Sequence, residues 1–267
     1  MRSRVLGASI ALILLLALVI PAAAVQFGVP DGDAHPQVGL LVFDVGGSPA
    51  WRCSGTLIAP DVMLTAGHCT FGTSGGRVWF EADVDKGILT NGYPFGGGTS
   101  IEFTAIFTHP NYVDEAFYLF DAGIVILETP QPGPYATLAP IGLLDQLSTR
   151  RGLQNQSFTV VGYGLQSVVP TLQADRVRYQ GTVRLIDVRG TAGIPAGTSA
   201  SFTNAPGQGV GPGGTCFGDS GGPIFYGQSL TIAAVTSYGL NANCAGTGGG
   251  YRVDTVDDYA FITPFLP

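Results

Sequence analysis

The spacing of glycine and proline limits this chain more than any other feature. The 267 residues contain 40 glycines and 18 prolines, scattered so that few uninterrupted stretches are long enough for a stable helix. Between them recur short runs of Val, Ile, Leu, Phe and Thr, the pattern of many short strands joined by turns, which closes into a β-sandwich or a barrel. Strands are expected at 38–45, 54–58, 62–65, 78–81, 101–108, 123–127, 158–162, 177–186, 223–226 and 232–237. One helix is expected near the C-terminus, where Val256, Tyr259, Ala260, Ile262 and Phe265 form an apolar face behind Asp257 and Asp258. The stretch 190–214, rich in Gly, Pro, Ser and Thr, reads as loop.

The N-terminus carries an address. Arg2 and Arg4 precede an apolar run over 5–20 that leads to Pro21 and Ala22-Ala23-Ala24, the charged start, apolar middle and small-residue end of a signal peptide. Cleavage after Ala24 would release a secreted, extracellular chain with no membrane attachment. The remaining chain is long enough for one large all-β domain or two small ones. The Pro- and Gly-rich piece 129–140 is the best divide, giving an N-terminal unit 25–140 and a C-terminal unit 141–267 that ends in the helix. A formal charge of −7, with Lys86 the single lysine, speaks against a nucleic-acid partner, because phosphate contacts need clustered cations. Four cysteines in an exported chain imply two disulfides; three pairings are open, and the local one joins Cys53 to Cys69 and Cys216 to Cys244. No metal or other cofactor is expected. The cysteines contain no C-x-x-C pair, and Glu81, Asp83 and Asp85 alternate along a strand without a calcium-loop pattern.

The most informative segment is Gly218-Asp219-Ser220-Gly221-Gly222-Pro223, which places a serine among residues of little bulk, open to a substrate carbonyl. A serine hydroxyl is a weak nucleophile that needs a base within reach and donors for the oxyanion, here the backbone N–H groups of Gly218 and Ser220. Chain order narrows the scaffold. In α/β-hydrolases the acid and the histidine come after the serine, yet His35, His68 and His109 all precede Ser220. The subtilisin order needs alternating helices that the β-rich pattern lacks. The order left is histidine, then aspartate, then serine.

His68, in Leu64-Thr65-Ala66-Gly67-His68-Cys69, ends an apolar strand and is pinned by the neighbouring cysteine, as a general base requires. Asp121, just before the apolar run Ala122-Gly123-Ile124-Val125-Ile126-Leu127, is the carboxylate to orient it, with Asp114 as the rival. His35 and His109 each precede a proline and read as solvated turn residues.

Taken together, these segments resemble the trypsin and chymotrypsin family of serine proteases over essentially the whole mature chain. Cys53-Ser54-Gly55-Thr56-Leu57-Ile58 with Thr65-Ala66-Gly67-His68-Cys69 is similar to the family's histidine region. His109-Pro110-Asn111-Tyr112 before Asp121-Ala122-Gly123-Ile124 is similar to its aspartate region, and 218–223 to its serine signature. The resemblance implies an all-β fold of two antiparallel six-stranded barrels, a polypeptide substrate and a monomer. It also implies that Thr236-Ser237-Tyr238-Gly239 pairs with extended substrate and that Ser237 contacts Asp121. Gly214 and Thr215 would then lie at the base of the specificity pocket, with Gly239 and Gly249 as walls. No carboxylate stands at that base, which implies apolar or aromatic preference. The family's activating Ile-Val-Gly-Gly is missing; its ion pair would here join the amine of Val25, freed by signal cleavage, to Asp219. A catalytically silent binding protein and an esterase on the same fold are the competing functions.

Overall fold

The computed structural model describes residues 25–149, 156–189, 194–204 and 213–267; the expected signal peptide at 1–24 lies outside the described residues. After a two-residue strand β1 (Val29–Pro30), the chain forms β2 (Val38–Val45), β3 (Ser48–Ala59) and β4 (Val62–Thr65), one helical turn α1 (Gly67–Thr70), then β5 (Gly75–Trp79), β6 (Ile101–Thr108) and β7 (Gly123–Leu127). These six long strands close into a barrel in the order β2-β3-β4-β7-β6-β5. A short β8 (Thr137–Leu138) and helix α2 (Leu143–Thr149) lead to β9 (Ser157–Gly162), β10 (Tyr179–Asp187), β11 (Ser199–Thr203), β12 (Pro223–Tyr226), β13 (Thr231–Gly239) and β14 (Thr247–Arg252), followed by helix α3 (Val256–Ile262). Their order β10-β11-β14-β13-β12-β9, with β9 pairing back to β10, closes a second barrel of six. The fold is thus the pair of antiparallel barrels that the resemblance implies. β1 attaches to β10, and β8 lies parallel to β13, so both connecting segments lend strands to the second sheet.

The period-2 alternation of strand side chains divides the apolar residues into three layers. Leu41, Phe43, Leu57, Met63, Val78, Val125 and Leu127 fill the first barrel. Phe158, Val160, Val183, Leu185, Phe202 and Ile224 fill the second. The intervening positions, Val38, Leu40, Leu64 and Ile124 from the first barrel with Val161, Tyr163, Phe225, Val235 and Tyr251 from the second, make one continuous layer between the barrels. That layer fixes how the two bodies face each other, and so where the cleft between them opens. Each barrel also carries one disulfide loop: Cys53 bonds to Cys69 and Cys216 to Cys244, the local pairing. Closing a loop of 16 residues stabilises by about 3 kcal/mol through loss of unfolded-state entropy.

Several expectations need correction. The stretch 190–214 contains β11, and all five of its residues are buried. Its sequence Ser-Ala-Ser-Phe-Thr has too little apolar content to mark a strand, and it forms because the glycine-rich β14 pairs with it from Ser199↔Tyr251 to Thr203↔Thr247. His35 and His109 are not solvated; they are 7% and 3% exposed. His35 stacks on Phe225 and bonds to Asp31, while His109 stacks on Phe120 and is held by Asn111 N–H. On α3 the expected apolar face is rotated: Val256 is 69% exposed and Asp258 is buried with Ile262. Thr255 caps this helix by accepting from Asp258 N–H, which pulls Asp258 inward.

One charged group joins the barrels. Arg178 is buried against Asp31 at 2.9 Å and donates to the carbonyls of Val38 and Phe80 and to Tyr163 Oη, each at 3.0 Å. Its donors therefore reach groups of both barrels from a buried guanidinium. Replacing Arg178 by Gln leaves the buried Asp31 carboxylate with His35 as its remaining partner and is expected to lower the unfolding free energy by about 3–5 kcal/mol, as breaking a buried pair does. Urea denaturation followed by tryptophan fluorescence measures this, and a loss below about 1 kcal/mol would refute the assignment.

Candidate active site

The three residues singled out in the sequence meet at the cleft between the barrels. His68 sits on α1, directly after β4, and Cys69 ties that turn to β3 through its disulfide. Trp51 Nε1 donates to the Cys69 carbonyl at 3.0 Å and braces the same turn. Asp121 is fully buried and accepts from His68 twice, from the backbone N–H at 2.7 Å and with Oδ2 2.9 Å from ring Nδ1. Ser237 Oγ, on β13 of the other barrel, donates to Asp121 Oδ2 at 2.6 Å. The carboxylate thus aligns the imidazole so that its other nitrogen is free to face the cleft. Asp114, the rival acid, instead accepts from Tyr112 Oη at 3.2 Å.

Ser220 lies on a loop held from both sides. Ser54 N–H donates to the Ser220 carbonyl at 2.8 Å, and Ser54 Oγ donates to that of Gly218 at 3.0 Å. From β13, Thr236 accepts from Gly221 N–H and donates to the Gly222 carbonyl. Gly221 has φ +76°, and any side chain there would start 2.0 Å from Thr65 Oγ1, so glycine is obligatory. Gly218, at φ +96°, turns the backbone so that, among the described residues, its N–H and that of Ser220 have no hydrogen-bond partner. These are the two donors expected from the sequence to receive an oxyanion. His68 and Ser220 line the same cleft of about 270 Å³, with no hydrogen bond between them among the described residues.

The cleft is walled by aromatic rings. Phe117 packs edge-on to His68 with centroids 6.0 Å apart, Phe217 is 58% exposed, and Thr215, Ser237, Tyr238 and Gly239 are among the other lining residues. The structure therefore brings four of the six expected substrate-binding residues to the cleft. Gly249 lies beneath the ring of Tyr238, and Gly214 is pressed against Asn204. Nothing in the sequence marks Asn204 as a site residue. It is buried, and its Nδ2 donates to the carbonyls of Thr215 at 2.7 Å and Cys244 at 2.9 Å while Oδ1 accepts from Thr215 N–H. It thereby ties the two half-cystine segments around the pocket. A lone Asn in a loop-like stretch carries no signal of this kind, and neither does Ser54.

The charges are set by burial and contact. Burial alone would lower the His68 pKa, but the charge and hydrogen bond of Asp121, with Asp114 nearby, outweigh it and raise the imidazole above its ordinary 6.5. Burial pushes the Asp219 carboxyl up to about 7, despite N–H donation from Cys216 and Gly164 and the nearby charge of Arg52. Val25, its expected partner after cleavage, has its side chain packed in the second barrel beside Gly181. Cys53, His68 and Cys69 form the one cluster of metal-capable side chains among the described residues, and both sulfurs are committed to the disulfide.

Comparison with known proteins shows the family. The family model described as Trypsin matches residues 31–259. The chain belongs to the trypsin family. Among its relatives, brachyurin of Leptuca pugilator is 29% identical over 246 residues, covering 88% of this chain and 97% of the relative. Trypsin of Saccharopolyspora erythraea is 30% identical over 210 residues, covering 74% and 80%. A solved structure described as HL collagenase superposes with a TM-score of 0.70 at 19% identity, covering 91% of this chain and 99% of its own, and shares the fold. Membership in the trypsin family makes this chain one of a group of serine peptidases, with polypeptides as the substrate class. Among the described residues, no helix is long and apolar enough to cross a membrane.

The trypsin-family pairing of His68 with Asp121 is open to a direct test. In an NMR pH titration the His68 ring is expected to titrate above 6.5. Asp121→Asn removes the charge but leaves the burial, so the midpoint is expected to fall below 6.5. An unchanged midpoint would show that Asp121 does not set the protonation of His68.

Proposed function

We propose that this chain is a secreted serine endopeptidase. His68 Nε2 takes the proton of Ser220 Oγ as the oxygen attacks the scissile carbonyl, and the N–H groups of Gly218 and Ser220 receive the oxyanion. His68 returns the proton to the leaving amine, and water then releases the acyl group by the same route. Asp121 holds the tautomer and stabilises the imidazolium. The observation that supports this reading most is the buried Asp121 carboxylate, which bonds both nitrogen donors of His68 and Ser237 from the opposite barrel.

Secretion and cleavage after Ala24 would give Val25 a free ammonium. Asp219, buried and with its two oxygens bonded to backbone N–H groups rather than to a cation, is the group that such an ammonium would neutralise. The pocket favours an uncharged side chain before the scissile bond. Its lining includes Thr215, Phe217, Tyr238 and Gly239, and Asn204 behind it is a neutral amide with its hydrogen bonds made. A buried cation placed there would have no counter-charge. The complete set of His68, Asp121 and Ser220 favours turnover over a silent binding role.

A fluorophosphonate probe separates the two. The chain starting at Val25 is expected to label stoichiometrically, and the Ser220→Ala variant not at all; an unlabelled processed chain would favour the binding protein. Peptide anilides then read the pocket. Phe, Tyr and Leu substrates are expected to exceed Arg and Lys ones in kcat/KM by at least about tenfold, the scale of burying an apolar side chain against an unpaired charge. Faster cleavage after Arg or Lys would overturn the assignment of an uncharged pocket.

A further inference from the structure

Ser54 meets the Ser220 loop through its side chain as well as its backbone. The side chain is fully buried on β3 of the first barrel. Its Oγ accepts from the N–H of Tyr163, just past β9 in the second barrel, and donates to the Gly218 carbonyl, each at 3.0 Å. A peptide N–H can only donate, so the single hydroxyl proton of Ser54 is committed to Gly218. The hydroxyl therefore stitches the first barrel to two segments of the second.

Gly218 is the link that needs such a hold. With φ +96° and no side chain, it has little resistance of its own to rotation of the peptide planes on either side. The plane before it is held at the Phe217 carbonyl, which accepts from Leu165 N–H at 2.8 Å. Because a trans peptide sets N–H and C=O on opposite sides, that contact turns the Gly218 N–H away from Leu165, where it has no partner among the described residues. The plane after it is held by Ser54 Oγ on the Gly218 carbonyl and by Asp219 N–H, which donates to the Cys216 carbonyl at 3.0 Å. Of these three contacts, that of Ser54 alone comes from a side chain and from the first barrel.

We infer that Ser54 is a positioning residue for the acyl-transfer step: its hydroxyl holds Gly218 so that the free N–H stays aimed at the oxygen of the scissile carbonyl. The inference rests on the peptidase reading and adds to it a demand on kcat rather than on substrate binding. A peptide aldehyde with an apolar acyl side isolates the effect. Ser220 Oγ adds to the aldehyde carbon, the carbonyl electron pair moves to the oxygen, and His68 takes the hydroxyl proton, leaving an oxyanion for the two N–H groups. In Ser54→Ala, kcat for a Phe anilide is expected to fall about ten- to hundredfold, below the cost of losing a whole oxyanion donor, with KM held within about twofold. Affinity for the aldehyde is expected to fall by the same factor. Thr159→Val is the control, because it removes another buried hydroxyl, one that donates to the Gly227 carbonyl at 2.7 Å in the turn between β12 and β13. It is expected to lower the melting temperature and leave kcat and aldehyde affinity unchanged. A Ser54→Ala chain that melts earlier yet keeps both constants within about twofold overturns the inference and leaves the peptidase reading standing. So does, with no variant at all, a crystal structure of the wild-type aldehyde adduct in which the Gly218 carbonyl has left Ser54. A wild type that cleaves no anilide sinks the peptidase reading, and the inference with it.

Discussion

Burying a carboxylate is costly unless every oxygen is met by a donor, and Asp121 is met by donors from two separate bodies. His68 supplies two from the first barrel and Ser237 one from the second. Those bonds exist only if the barrels dock in one orientation. The apolar layer of Leu40, Leu64, Ile124, Val161, Phe225 and Val235 supplies that orientation without direction of its own, and the Arg178 contacts select among the possible rotations. Nondirectional burial and directional hydrogen bonds thus divide the work: the first brings the barrels together, and the second sets the register in which His68 and Ser220 share a cleft.

The same division holds at the Ser220 loop. Its glycines permit a backbone course that side chains would block, most sharply at Gly221 against Thr65. Permission is not placement, however. Ser54 from one barrel and Thr236 from the other fasten the loop, and Asn204 fastens the pocket wall behind it. These three polar residues hold the backbone around the reacting groups.

Much of this was legible in the residues. The strands of the first barrel track the alternation of apolar side chains, and the three residues of the proposed triad stand in segments whose chemistry is readable one at a time. The misses share a physical cause. β11 and β14 are built from Ser, Thr and Gly, and they form strands through each other's backbone, a partnership that local composition does not encode. His35 and His109 look like turn residues because each precedes a proline, yet both are covered by aromatic rings distant in the chain, Phe225 and Phe261. The family resemblance implies Gly239 and Gly249 as pocket walls; across β13 and β14 Gly249 pairs directly with Tyr238, whose ring lies over it.

The sequence by itself determined what is local: where strands run, where glycine permits unusual backbone, which serine is unencumbered, and which histidine is pinned by a cysteine. Period-2 patterning and steric bulk act within a few residues, so they can be read without coordinates. Only the tertiary structure decided which donors reach Asp121 and what stands behind the pocket. Each of these is a meeting of groups separated by scores of residues. Hydrogen bonds and ion pairs depend on distances of a few tenths of an ångström, and those distances are set by how two barrels pack rather than by the order of residues within either.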